Sequence, residues 1–255
     1  MGRTCLAIGR LGYAFRAVSF PVTHRSVIDR IRSDDAQVRQ GAFGDLAEGY
    51  WRPSYHYLRL HWRLTPDEAE DMVQAFFATA FEKRYVERYD PSKARFRTFL
   101  RTCLDRFVMN VRKAESTVKR GGAAERLSLD FPGAERELAA HATAPAADAE
   151  DLFQRETIRT LFARTVADLA DQYRRDDREV VFRVFEKYDL SDDEAITYEA
   201  IARDLGLPVT QVTNFLYQAR RRFRERVLVH LRSLVGSDEE FRIEARELFG
   251  FEVRE

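Results

Sequence analysis

Tyr198–Arg226, YEAIARDLGLPVTQVTNFLYQARRRFRER, is the stretch that decides how this chain folds. Ile201, Ala202 and Leu205 give its opening segment a single apolar helical stripe. Gly206 follows directly and can end a helix in the left-handed conformation without a Cβ penalty. Ala202 is small enough for a second helix to cross close over it. Pro208 stands at the entry to that helix, where a missing N–H costs little. Val212, Phe215, Leu216 and Ala219 then mark a buried face at helical spacing. The other face carries Thr210, Gln211, Thr213, Asn214 and Gln218, side chains able to hydrogen-bond base edges. Arg220, Arg221, Arg222 and Arg224 follow and suit phosphates. The pattern is a helix-turn-helix. A helical hairpin with a solvated polar face is the plainer alternative.

A chain of 255 residues holds one large domain or two small ones. Hydrophobic residues make up 45% and support packed cores, while 33% charged residues argue for a soluble chain. Lys and Arg number 42, as do Asp and Glu, so net charge carries no information about a nucleic-acid partner. Its segregation along the chain does. Cys5 and Cys103 form no disulfide framework, and the histidines show no metal-ligand spacing. No Ser/His/Asp grouping or phosphate loop is visible. The expectation is a non-enzyme without cofactor or metal. No apolar run reaches the roughly 18 residues of a membrane span. The first residues are basic and mildly apolar, as in a targeting peptide, but Arg10 and Arg16 interrupt them. Residues 1–25 are read as an extension, and the expected location is cytoplasmic.

Strand signals are nearly absent and helical periodicity runs almost throughout, so the fold class is all-α. A helix is expected over 36–62, kinked or interrupted near Pro53. Thr65-Pro66-Asp67-Glu68 opens the next, which runs to about Arg84, with an N-cap, a first-position proline and first-turn acids. Asp90-Pro91-Ser92 marks a turn in the loop 85–95. A basic helix runs from Phe96 to about Lys119, and Gly121-Gly122 ends it. The Ala-rich stretch 121–150, with Pro132 and Pro145, reads as a flexible linker in which Leu127, Leu129 and Phe131 dock locally. Helices near 151–173 and 177–188 lead into the helix-turn-helix. These boundaries give a first helical domain at 26–120, a second at 151–235 and a terminal amphipathic helix within 236–255.

The first domain separates its charges. Asp67, Glu68, Glu70 and Asp71 make the start of one helix acidic, suited to a basic protein surface or simply to the helix dipole. The helix after the loop is basic, with Arg97, Arg101, Arg106, Arg112 and Lys113. Tyr85, Tyr89 and Phe96 border the loop and suit stacking on unpaired bases. Most other aromatics in that helix, Phe99 and Phe107 among them, read as core. An acidic protein-binding face beside a basic aromatic face, followed by a duplex-reading helix, fits a bridge between a protein machine and DNA.

From about Phe20 onward the chain resembles bacterial RNA polymerase sigma factors of the extracytoplasmic-function class. The resemblance rests on Tyr50-Trp51-Arg52-Pro53 through Tyr57-Leu58-Arg59, on Asp67–Phe77, on Asp90-Pro91 and on Phe96-Arg97-Thr98-Phe99-Leu100. These look like sigma region two, and the helix-turn-helix looks like region four. The resemblance implies that Asp67, Glu70, Asp71, Gln74 and Phe77 dock on the beta-prime clamp helices of core polymerase. It implies that Tyr85, Tyr89, Arg95, Phe96, Arg97, Arg106, Asn110 and Lys113 engage the −10 element. Thr210, Gln211, Thr213, Asn214, Gln218, Arg220, Arg221, Arg222 and Arg224 would read the −35 element. Region four would also touch the beta flap, and an anti-sigma factor or other regulator would be a further partner. The chain departs from the family pattern at Phe99, where Trp is common. It departs again at Arg106, where an Asn helps form the pocket for the captured −10 base. The competing expectation is a stand-alone helix-turn-helix regulator, which leaves the acidic and basic helices of the first domain unexplained.

Overall fold

A computed structural model describes residues 18–19, 26–115, 128–140, 148–191, 193, 195–249 and 253–254. Most of the N-terminal extension with Cys5, the expected helix end at Lys119, Gly121-Gly122, Leu127 and Pro145 lie outside the described residues. Among the described residues the regular structure is helical, apart from a two-residue parallel pairing of β1 (Val18–Ser19) with β2 (Val253–Arg254). The expected all-α class is what is observed.

The helices begin where the sequence supplies caps. Ser26 and Asp29 form a reciprocal capping box at α1 (Val27–Ile31), and the Asp35 carboxylate accepts from Gln37 and Val38 at α2 (Ala36–Leu60). Thr65 and Glu68 form a second box at α3 (Pro66–Glu82). Such caps satisfy helix N–H groups that otherwise lack partners, for about 1 kcal/mol each. α2 runs uninterrupted through Pro53. The proline removes one helical hydrogen bond, and burial of Tyr50, Trp51, Tyr55, Tyr57 and Leu58 around it offsets the loss. A short 3-10 turn, Val86–Arg88, precedes α4 (Phe96–Glu115). Then come α5 (Phe131–Ala140), α6 (Ala149–Arg175) and α7 (Glu179–Asp189). The chain continues through α8 (Tyr198–Leu205), α9 (Val209–Arg232) and α10 (Asp238–Phe249).

Two compact units result. One holds residues 23–160 with 232–241, and the other holds 1–22, 161–231 and 242–255. The division differs from the expected linker at 121–150. Phe131–Ala140 is helical and belongs to the first unit. Phe131 packs on Trp51 and Tyr55, with ring centroids 5.2 and 5.3 Å apart. Arg59 pairs with Glu135 at 2.6 Å, and Arg52 pairs with Glu137. Phe131, expected to dock locally, is the first residue of this docked helix, and Leu129 precedes it.

The first unit is built around α2. Tyr50 meets Phe96 edge-on at 5.7 Å and stacks on Phe153 of α6 at 6.2 Å. Phe43, Phe76 and Phe77 join α2 to α3. Deep in this unit the His56 ring nitrogens face the Glu156 carboxylate at 2.7 Å and the Ala134 carbonyl at 3.1 Å. Burial alone would raise the Glu156 carboxyl, but the bond to His56, its charge and Arg159 outweigh burial and hold it below the ordinary glutamate value. A depressed carboxyl contributes stability above its unfolded pKa, and that contribution is lost as pH falls through the folded value. The denaturant midpoint of the native chain should therefore drop on acidification below the carboxylate range. Glu156→Gln should flatten that part of the profile; equal slopes in both proteins would contradict the assignment.

In the second unit, Val184, Ile201, Ala202, Val212 and Leu216 form the core that joins α7, α8 and α9. Phe223 extends it toward Phe162 and Phe185, at 5.3 and 5.6 Å. The turn between α8 and α9 is set by Gly206, which adopts φ 65° and ψ 35°. The Gly206 and Leu207 N–H groups both donate to the Ala202 carbonyl. A Cβ at Gly206 would meet nothing within 4 Å, so only the left-handed conformation opposes a side chain there. Gly206→Ala should cost about 1–2 kcal/mol, read as a lowered denaturant midpoint. No loss would show that the turn relaxes freely.

Candidate nucleic-acid interface

α8 and α9 meet through Ile201, Ala202, Val212 and Leu216, which leaves one side of α9 outside the core. Thr210, Thr213 and Asn214 are exposed there, and Gln211 is half-buried. Thr213 donates its hydroxyl to the Val209 carbonyl at 3.0 Å. Gln218, expected at base edges, accepts from Arg178 through its side-chain oxygen at 2.6 Å.

The arginine run divides. Arg221 is exposed and sits 3.1 Å from Glu225 on the next turn. Arg220, expected at the −35 phosphates, is paired within the fold. Its Nε and Nη2 donate to the buried Asp189 carboxylate at 2.9 and 2.8 Å, and its guanidinium lies 5.4 Å from the Tyr188 ring centroid. Burial alone would lower the Arg220 pKa, but Asp189 reverses the direction and raises it. Arg222 is likewise occupied, paired with Asp176 at 2.8 Å and seated over Tyr173. Arg224 is half-buried and donates to the Arg220 carbonyl. Arg220 and Arg222 therefore fix the helix to α7 and to the turn before it. Spacing along one helix cannot reveal that, because the carboxylates come from elsewhere in the chain.

In the first unit, Asp67 and Asp71 are exposed on α3, and Glu70 and Gln74 are half-buried. Each pair is four residues apart, so the structure brings all four onto adjoining rows. Phe77 does not join them: it is buried against Phe43 and Phe76. On α4, Arg106, Asn110 and Lys113 are exposed at helical spacing along one side. Tyr85 and Arg95 are half-buried in the loop. Tyr89, Phe96 and Arg97, expected to touch nucleic acid, are buried. Arg97 donates to Gln154 at 3.2 Å.

Glu240 of α10 explains much of this burial. Its carboxylate accepts from Tyr89 Oη at 3.0 Å, from the Phe96 N–H at 2.6 Å and from the Gly236 N–H at 2.8 Å. It thereby caps the first turn of α4 from far along the chain. Burial, then the charge of Glu240, pushes the Tyr89 phenol up. Leu234 packs against Gly49, where a Cβ would collide with it, and its carbonyl accepts from Tyr50 Oη at 2.8 Å.

Sequence reasoning missed Tyr217, which is 65% exposed on α9. The signal was present, since Tyr217 stands four residues after Thr213 and three after Asn214 on the same side. Met109, 51% exposed beside Arg106 and Asn110, was missed in the same way. Burial pushes the half-buried Cys103 thiol up to about 11, which disfavours the thiolate. Among the described residues no group of His, Cys, Asp and Glu is arranged to hold a metal ion, and no helix is long and apolar enough to cross a membrane. Compared with protein-family models, curated proteins and solved structures, the chain gives no match.

Proposed function

We propose that this chain is a promoter-specificity subunit of the sigma type, which binds core RNA polymerase and directs it to DNA. The observation that carries the reading is the two-sided construction of α9. Val212, Leu216 and Ala219 are buried on one side, while Thr210, Asn214 and Arg221 stand out on the other after a Gly206 turn. A helix presented in this way fits the major groove, with polar side chains on base edges and arginine on phosphate. The acidic row Asp67/Asp71 and the neighbouring row Glu70/Gln74 supply a docking face for a basic surface of the polymerase, the beta-prime clamp helices. The row Arg106, Asn110 and Lys113 supplies a cationic track for the separated strand at the −10 element. The second unit is the one that meets the beta flap. Such a subunit makes and breaks no covalent bonds; stacking and phosphate contacts offset the cost of unpairing. It acts in the cytoplasm, and an anti-sigma factor or other regulator is a further proposed partner.

One observation favours a narrower reading. Tyr89, Phe96 and Arg97 are buried, which suits a regulator that binds duplex DNA through α9 alone. The two readings differ in their need for core polymerase. Fluorescence anisotropy of duplexes selected from a random pool separates them. Under the sigma reading, tight sequence-specific binding requires core enzyme. Equal affinity without core enzyme would favour the stand-alone regulator.

A further inference from the structure

α9 carries two different rows on its exposed side. Thr210, Asn214 and Arg221 form a polar row. Val209, Thr213 and Tyr217, spaced four residues apart, form the neighbouring one, and it is largely apolar. Val209 is 39% exposed and Tyr217 65% exposed. Thr213 belongs with them, because its hydroxyl turns back to the Val209 carbonyl at 3.0 Å and is already bonded. Its methyl group is left as the outward feature. The polar row is poorer than its sequence promises, since Gln218 accepts from Arg178.

Apolar side chains exposed on a solvated helix gain nothing from water. In the major groove they have one strongly apolar complement, the C5-methyl group of thymine. Exposed Arg221, with Glu225 at 3.1 Å, and half-buried Arg224 lie one and two turns further along the helix and place cationic groups beside the row, as a polyanion requires. We infer that Val209, Thr213 and Tyr217 are specificity-determining residues that select thymine-containing sites through contact with thymine methyl groups. Asn214 and Thr210 then read the adjoining base edges. The inference rests on the DNA-binding reading of α9.

The test uses the full chain, with core polymerase wherever binding requires it, and duplexes selected from a random pool. Each thymine of the enriched site is replaced in turn by uracil, which removes only the methyl group. Uracil is expected to weaken binding about four-fold per contacted methyl, the effect of losing one buried methyl-sized group. Tyr217→Ala and Val209→Ala should each abolish the uracil effect at a different position while other positions keep theirs. Tyr217 is exposed, so Y217A should retain the native unfolding midpoint. Specific binding that is indifferent to uracil at every position would overturn the inference and leave the DNA-binding reading standing. Failure to enrich any sequence, with or without polymerase, would overturn both.

Discussion

Asp189→Ala is expected to destabilise the second unit by about 3–5 kcal/mol, the usual cost of removing one partner of a buried ion pair. Asp189 is fully buried and receives both Nε and Nη2 of Arg220. Alanine would leave an arginine whose side chain is only 18% exposed without its carboxylate. The loss should appear as an earlier transition in far-UV circular dichroism during denaturant unfolding. The double variant Asp189→Leu with Arg220→Met should recover much of it, because removing both charges also removes the desolvation cost. Under the proposed function, DNA binding should weaken in Asp189→Ala as well, since the pair fixes α9 to the end of α7. A single variant as stable as the native chain would show that the pair contributes little. A double variant no better than the single one would show that Asp189 acts through other contacts.

Glu240→Ala should be the second severe change, at about 2–4 kcal/mol for a buried acceptor whose donors lose their partner. The Phe96 and Gly236 N–H groups would lose the carboxylate, while Tyr89 would keep its bond to the Ala94 carbonyl at 3.0 Å. Trp51 and Trp62 are the chain's two tryptophans, and both lie in the unit that holds Glu240. Tryptophan fluorescence therefore reports on that unit. Its unfolding midpoint should fall in Glu240→Ala, and Glu240→Gln should recover only a fraction of the loss, because an amide nitrogen would face a donor. An unchanged midpoint in Glu240→Ala would mean that water replaces the carboxylate without cost.

Local chemistry made much of the fold legible. Thr65-Pro66-Asp67-Glu68 predicts the start of α3, and the structure places Pro66 first in that helix with both members of the capping box bonded. Gly206 predicts the end of α8, and it is the left-handed residue there. The buried stripe Val212, Leu216 and Ala219 follows from 3.6-residue spacing alone. The candidate site was less legible wherever a side chain's partner comes from far along the chain. Arg220 looks like its neighbour Arg221 in a basic run, but only Arg220 finds a buried carboxylate, 31 residues earlier. Tyr89 and Phe96 border a polar loop and read as surface aromatics. They are buried because Glu240, 151 and 144 residues later, bonds to both. The helix Phe131–Ala140 was hidden by its alanines and by Pro132, and its place depends on Trp51, Tyr55 and Arg59 of α2. Periodicity assigns a face to each helix, but it cannot say which faces meet.

The proposal that this chain directs polymerase to promoters is tested most directly by run-off transcription. Purified bacterial core polymerase is supplied with a library of upstream DNA, with and without the full chain. The expected result is a set of transcripts that depend on the chain and arise downstream of a shared pair of elements, lost when Asn214 and Arg221 are both replaced by alanine. Tight duplex binding by the chain alone, with no dependent transcript from a matching core enzyme, would contradict the proposal.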